Sequence, residues 1–386
     1  MIATRTREER LLAVAREVGL AEIAEKVLAG ERLSLDDGLA LYRTPHVHAL
    51  GELANFARER LHGDRAYFNV NQHVNYTNLC NKLCRFCAFQ RLPNQAGAYL
   101  WSPEECAGKI REHLHEPVTE VHMVAGVWPK IPYTYYLELL RAVKAARPSI
   151  HVKAFTMVEL DQIAKVAKKT LEQVLPELIE AGLGSVPGGG AEIFSERVRQ
   201  ATYHLKISGD EWLAIARKVH RAGLKSNCTM LHGHIETAAE RVDHLDRLRR
   251  LQDETGGFQT YIPLSFHPEN SEMSDVPGPT ALDELREIAL GRLMLDNIPH
   301  VKAYWILMDL PIAQLALSYG ADDVDGTVVE EKIYHEAGAT TPQRLERDDL
   351  VRLIRDAGRV PVERDTLYNV IWSGEEIAED SNVSGT

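Results

Sequence analysis

Between residues 67 and 326, short β-type runs alternate with helical runs, and this alternation limits the possible folds more than any other feature of the chain. The β-type runs are 67–75, 120–126, 150–156, 184–191, 225–231, 258–266, 300–307 and 321–326. Helical periodicity fills the gaps, as in 133–146, 158–168, 171–181, 236–255, 281–297 and 313–319. Ser102-Pro103 and Ser208-Gly209-Asp210-Glu211 read as helix starts. Eight strands, each followed by helix, predict an α/β chain folded as a (β/α)8 TIM-type barrel.

Residues 1–64 read as an N-terminal helical segment placed to cap one end of that barrel, with Gly30 as a stop and Ser34-Leu35-Asp36-Asp37 as a start. The barrel is expected over 65–340. A short C-terminal extension follows over 341–386, with a helix at 346–357, a strand or helix at 366–373 and a frayed end from 374. The charge pairs of 240–254, like Asp161, read as a solvated helix face.

Strand ends carry the chemistry in such barrels. The first run leads into Cys80-x3-Cys84-x2-Cys87, which gathers three of the five cysteines and places Phe86 before the last. Three thiolates on one loop can hold three irons of a 4Fe-4S cluster and leave the fourth iron open. Structural zinc needs four ligands, and His73 is a possible fourth. A disulfide would leave one cysteine of the loop over. Cys106 and Cys228 read as ordinary buried thiols.

Other strand ends are rich in Gly, His and acids. Gly188-Gly189-Gly190 forfeits packing in any strand and points to a backbone nest around a ligand. His234 and Glu236 are candidates for proton transfer, against a surface-histidine reading. His267, between Phe266 and Pro268, is placed for a pocket. Asp322, Asp323 and Asp325 are either turn residues or ligand contacts.

The net charge is −12 and no long basic run occurs, so nucleic acid is not an expected partner. No apolar run reaches the ~20 residues of a membrane helix, and residues 1–10 lack the apolar core of a signal. These features predict a cytoplasmic protein without a membrane partner.

The cysteine spacing with Phe86 resembles the signature of the radical S-adenosylmethionine superfamily. That resemblance implies S-adenosylmethionine on the open iron, Phe86 beside it, and its amino group bound at the second strand end. There Ala125-Gly126 replaces the usual double glycine, and a plain turn is the competing reading. Glu192 is a candidate for the ribose hydroxyls, or else an acid at a helix start.

Longer strings, among them Lys153-Ala154-Phe155-Thr156, Pro187 to Phe194 and Phe266-His267-Pro268-Glu269-Asn270, resemble the aminofutalosine synthase family of the futalosine route to menaquinone. The resemblance implies addition of the 5′-deoxyadenosyl radical to 3-(1-carboxyvinyloxy)benzoate. Loss of carboxylate and release of methionine then give 6-amino-6-deoxyfutalosine. The electron donor would be a flavodoxin or ferredoxin. A sister enzyme that abstracts hydrogen, of the cyclic dehypoxanthinyl futalosine or deazaflavin synthase type, is the alternative. The small-molecule substrate carries two carboxylates, for which His73, Arg91, Lys153, His234, His267 and Lys302 are candidate partners. Asn270 and Asp322 are further candidates for substrate contact. Lys153 and Lys302 lie in apolar strands, where paired or snorkelling lysines are the other reading.

Overall fold

The computed structural model describes residues 6–376. Eleven strands form its two sheets. They are β1 (Arg65–Asn69), β2 (Asn71–His73), β3 (Glu120–Met123), β4 (His151–Ala154), β5 (Leu183–Val186), β6 (Lys225–His232), β7 (Phe258–Ser265), β8 (His300–Val301), β9 (Asp323–Gly326), β10 (Val360–Arg364) and β11 (Val370–Ser373).

Strands β2 to β8 form one parallel sheet in sequence order. The sheet is curled, with helices between its strands. β1 and β2 are two halves of one run interrupted at Val70. β1 pairs in parallel with β9, and a parallel bridge between Lys302 and Asp323 ties β9 to the end of β8. The His73 amide extends this seam by donating to the Val329 carbonyl at 3.0 Å. Counted with β1–β2 as one strand, the eight expected strands are present in a TIM-type arrangement.

Two corrections concern strand extent. The run 300–307 is strand only at His300–Val301, and Trp305–Ala316 is helix. Its residues Trp305 to Met308 are buried on all sides, and an apolar run of that kind carries no periodicity to tell strand from helix. The run 184–191 stops as strand at Val186, where Pro187 and the glycines leave the ladder. The helix Glu196–Thr202 and strand β10 were not anticipated. β10 holds a proline and two charges, yet Glu363 is partnered by Arg347 at 2.6 Å and Arg364 by Asp323 at 2.6 Å.

The four N-terminal helices, Arg7–Glu17, Ala21–Ala29, Leu35–Arg43 and Val47–His62, begin and end close to their sequence signals. Ser34 and Asp37 form a capping box, and Gly30 ends its helix at φ 74°. Leu35–Arg43 and Val47–His62 pack on the flank of the barrel against Ala238–Thr255 and Ala281–Met294, the first two helices pack on Val47–His62, and none of the four lines the cavity. The same docking corrects the reading of 240–254 as a solvated face. His244, Asp246 and Arg249 are buried, and Arg249 donates to the Leu33 carbonyl at 2.8 Å.

The C-terminal chain returns to the barrel, where β10 pairs in parallel with β1 and β11 folds antiparallel onto β10. Gly374–Glu376 is a 3-10 turn. The expected frayed end beyond it lies outside the described residues. Among the described residues, no helix is long and apolar enough to cross a membrane.

Parallel barrels usually fill their interior with branched aliphatic side chains. Here buried ion pairs occupy part of it: Lys153–Glu120 at 2.7 Å, Lys302–Asp325 at 2.6 Å and Arg364–Asp323 at 2.5 Å. Three cations and three anions balance one another, which keeps the desolvation cost tolerable.

Candidate active site

A cavity of about 250 Å³ opens at the C-terminal ends of the strands. Cys80, Cys84 and Cys87 all line it. Their loop is pinned by backbone bonds from Cys80 to Arg91, Asn81 to Val127 and Arg85 to Thr202, at 3.0, 3.0 and 2.9 Å. All five cysteines are free, so the disulfide reading is not realised. Among the described residues, the three sulfurs do not form a group with ligand atoms within 4.8 Å of one another. Ligands to a single ion crowd together, whereas thiolates at the corners of a cluster stand apart. Burial pushes the Cys84 and Cys87 thiols up, and the Lys206 ammonium opposes it. Three thiols on a common wall, a nearby cation and open space beside them fit a 4Fe-4S cluster with one open iron.

The glycines beside the loop have specific neighbours. A Cβ on Gly126 would lie 2.3 Å from the Leu79 carbonyl oxygen, so glycine here lets the cysteine loop rest on the end of β3. A Cβ on Gly188 would meet the Asn227 backbone at 2.6 Å, and Gly190 has φ 84°. The Gly188 carbonyl accepts from Thr229 Oγ1 at 2.9 Å, and that of Gly189 from Trp212 Nε1 at 3.3 Å. All four glycines line the cavity, as do Ala125 and Phe86.

Behind Ala125, Glu159 is buried and accepts from Tyr76 Oη at 2.7 Å and from the Thr156 amide and hydroxyl, both at 2.8 Å. Burial raises its carboxyl to about 7 despite these donors. Glu192, a candidate ribose ligand or else an exposed acid, lines the cavity with Lys206, is buried at φ 48° and is ion-paired with that lysine. Lys206 also lies 5.3 Å from the Phe86 ring centre. Sequence reasoning missed Lys206. It precedes a helix cap with no local signal, and only the fold of 187–206 brings it to the loop.

The remaining candidates separate. His73 and His267 line the cavity, as does Lys302. His267 Nε2 donates to the Leu307 carbonyl at 3.0 Å. His234 and Glu236 do not line the cavity. Glu236 accepts from the amides of Gly233 and His234, at 2.6 and 3.0 Å, and pairs with Arg241 at 2.5 Å. It is a loop-anchoring carboxylate with its capacity already used. His234 lies 3.1 Å from it.

Arg91 and Asn270 are also outside the lining, and both hold the segment around Glu336. Arg91 pairs with Glu336 at 3.1 Å, and Asn270 donates to the Glu336 carbonyl at 2.9 Å. That segment lends Glu331, Ile333, Tyr334 and Ala337 to the cavity. Lys153 is consumed by Glu120. Asp322 lies at the opposite end of the barrel, where it is held by Arg292, His300 and the Val301 amide.

Comparison with known proteins agrees with this geometry. The Radical SAM superfamily matches residues 74–248, and the CofH/MqnC C-terminal region matches residues 255–377. The aminodeoxyfutalosine synthase of Thermus thermophilus is 48% identical over 92% of this chain and 97% of its own. That of Streptomyces coelicolor is 45% identical over 91% and 93%. The chain is a radical S-adenosylmethionine enzyme of the aminodeoxyfutalosine synthase family.

Within the wider superfamily, the cyclic dehypoxanthine futalosine synthase of Halalkalibacterium halodurans is 38% identical over 92% of this chain and 95% of its own. Among solved structures, methylornithine synthase shares the fold at TM-score 0.70 and 17% identity, covering 87% of this chain and 96% of its own. Members of the superfamily use a 4Fe-4S cluster and S-adenosylmethionine. Cys80, Cys84 and Cys87 are the residues here that fit the cluster.

Proposed function

We propose that this chain joins the 5′-deoxyadenosyl group of S-adenosylmethionine to 3-(1-carboxyvinyloxy)benzoate. The products are 6-amino-6-deoxyfutalosine, methionine and the lost carboxylate as bicarbonate. The observation that carries this reading is the identity of 48% and 45% to two aminodeoxyfutalosine synthases over more than nine-tenths of the chain. When bound, the cluster and S-adenosylmethionine supply a primary carbon radical.

The chain's own residues must orient two molecules and exclude water. The cysteine loop, Ala125-Gly126 and Gly188 to Gly190 line one side, with backbone close to the space a cofactor would take. Glu159 fixes that side from behind through Thr156. Leu231, Ile262, Leu264 and Phe266 also line the cavity and offer apolar surface to an aromatic ring. Glu331, Ile333, Tyr334 and Ala337 complete the lining.

The reading includes a cytoplasmic setting, a flavodoxin or ferredoxin as electron donor, and no part for nucleic acid or membrane. Its test is product analysis with reconstituted protein. An adenosine-containing adduct of the benzoate substrate supports it. Free 5′-deoxyadenosine equal to the methionine formed would show the hydrogen abstraction of a sister enzyme.

A further inference from the structure

One part of the cavity lining is polar, and its chemistry is distinct from the cofactor side. His73 and His122 stand opposite each other in the register of β2 and β3, with ring centres 4.7 Å apart. Lys302, from the end of β8, reaches into the same lining and pairs with Asp325 at 2.6 Å. Asp325 and Lys302 both act electrostatically on His73, so the four groups share one locality.

His73 is 6% exposed, and its Nε2 has no hydrogen-bond partner. Leaving a buried polar atom unpaired costs about 1–3 kcal/mol. An unpaired atom of this kind, on a residue that lines the cavity, marks a place where a ligand completes the pairing. Burial keeps both imidazoles neutral, so each offers one N–H donor. Asp325 is paired with Lys302, and Glu331, the other carboxylate acting on His73 from the lining, accepts from the Ile333 and Tyr334 amides at 2.8 and 2.9 Å, so an entering anion meets an ammonium and imidazole donors beside carboxylates that already have partners.

We propose that His73, His122 and Lys302 form the subsite for the ring carboxylate of the benzoate substrate, the carboxylate retained in the product. The inference rests on the function proposed above and adds the direction of binding. Anchoring the ring carboxylate here lays the ring along Ile262 and Leu264. The vinyl carbon then faces the cysteine side. The subsite thus selects aryl enol ethers that carry a carboxylate on the ring.

The test compares matched ligands on the reconstituted enzyme. Turnover is measured with 3-(1-carboxyvinyloxy)benzoate and with the analogue that has hydrogen in place of the ring carboxylate. The wild type is expected to favour the first by about tenfold or more in kcat/KM, as expected when a site's polar groups lose their partner. His73→Phe is expected to erase the preference through KM. His122→Asn serves as a second variant if His73→Phe does not fold.

Calorimetry of 3-methoxybenzoate against 3-methoxybenzamide reads the subsite without turnover. If the wild type processes neither enol ether yet prefers the benzoate and loses that preference in the variant, the proposed function falls and the subsite stands. A wild type that binds benzoate and benzamide equally, or a variant that loses both enol ethers in proportion, overturns the subsite. Equal binding would also mean that ordered water alone satisfies His73.

Discussion

Lys206 is ion-paired with Glu192 behind the cysteine loop, with side chains 14% and 8% exposed. The Lys206 ammonium is the cation nearest in effect to the Cys84 thiol. Removing one partner of a buried pair leaves the other charge uncompensated, at a cost of about 3–5 kcal/mol. Lys206→Met is therefore expected to destabilise the fold by that order in urea unfolding. The double variant Lys206→Met/Glu192→Gln should recover most of the loss. A double variant as unstable as the single one contradicts the pairing.

Gly126 supports the loop by having no side chain. Gly126→Ala places a Cβ against the Leu79 carbonyl oxygen, and backbone on both sides must move. A displacement on the order of 1 Å at a reacting group can lower rate ~100-fold. Turnover by Gly126→Ala is expected to fall by about that factor, while the far-ultraviolet circular dichroism of the barrel is retained. Full turnover would show that the loop does not depend on this contact.

Glu159 gives a pH dependence with a definite sign. Its folded carboxyl is raised to about 7 by burial, above the ordinary 4.5. The folded state therefore holds more protons than the unfolded chain across this window. Its contribution is present below pH 4.5 and is lost as pH rises to about 7, by at most roughly 3 kcal/mol. Glu159→Gln keeps the capping geometry with Thr156 and removes the titration. Urea unfolding between pH 4.5 and 7 should show a flatter stability profile for the variant.

Asp322 separates fold from function. It was a candidate for substrate contact, but its oxygens are taken by Arg292, His300 and the Val301 amide at the far end of the barrel. Asp322→Asn should lower stability by about 3–5 kcal/mol, because Arg292 is buried and loses its countercharge. The KM of the folded fraction for the benzoate substrate should match the wild type. A raised KM with unchanged stability contradicts this placement.

The barrel was legible because parallel strands buried on both faces read as apolar runs and their helices carry strong caps. The cysteine loop was legible because its ligands are close in sequence. What escaped the reading depends on distance along the chain. Lys206 acquires its meaning only beside Glu192 and Cys84. Arg91 and Asn270 looked like ligand contacts and instead meet at Glu336. Glu236 had the composition of a proton-transfer group, but its oxygens are filled by two amides and Arg241. His122 carries no local mark at all, and becomes notable only when β2 and β3 pair and set its ring beside His73.

The central claim is that the adenosyl carbon ends in the product rather than leaving as 5′-deoxyadenosine. It is tested most directly with S-adenosylmethionine labelled with carbon-13 at the adenosyl 5′ carbon, turned over anaerobically with 3-(1-carboxyvinyloxy)benzoate. The account predicts that the label is bonded to a carbon of the former vinyl group, with one adduct formed per methionine released. Label recovered in 5′-deoxyadenosine in equal amount to methionine, with no labelled adduct, would contradict it.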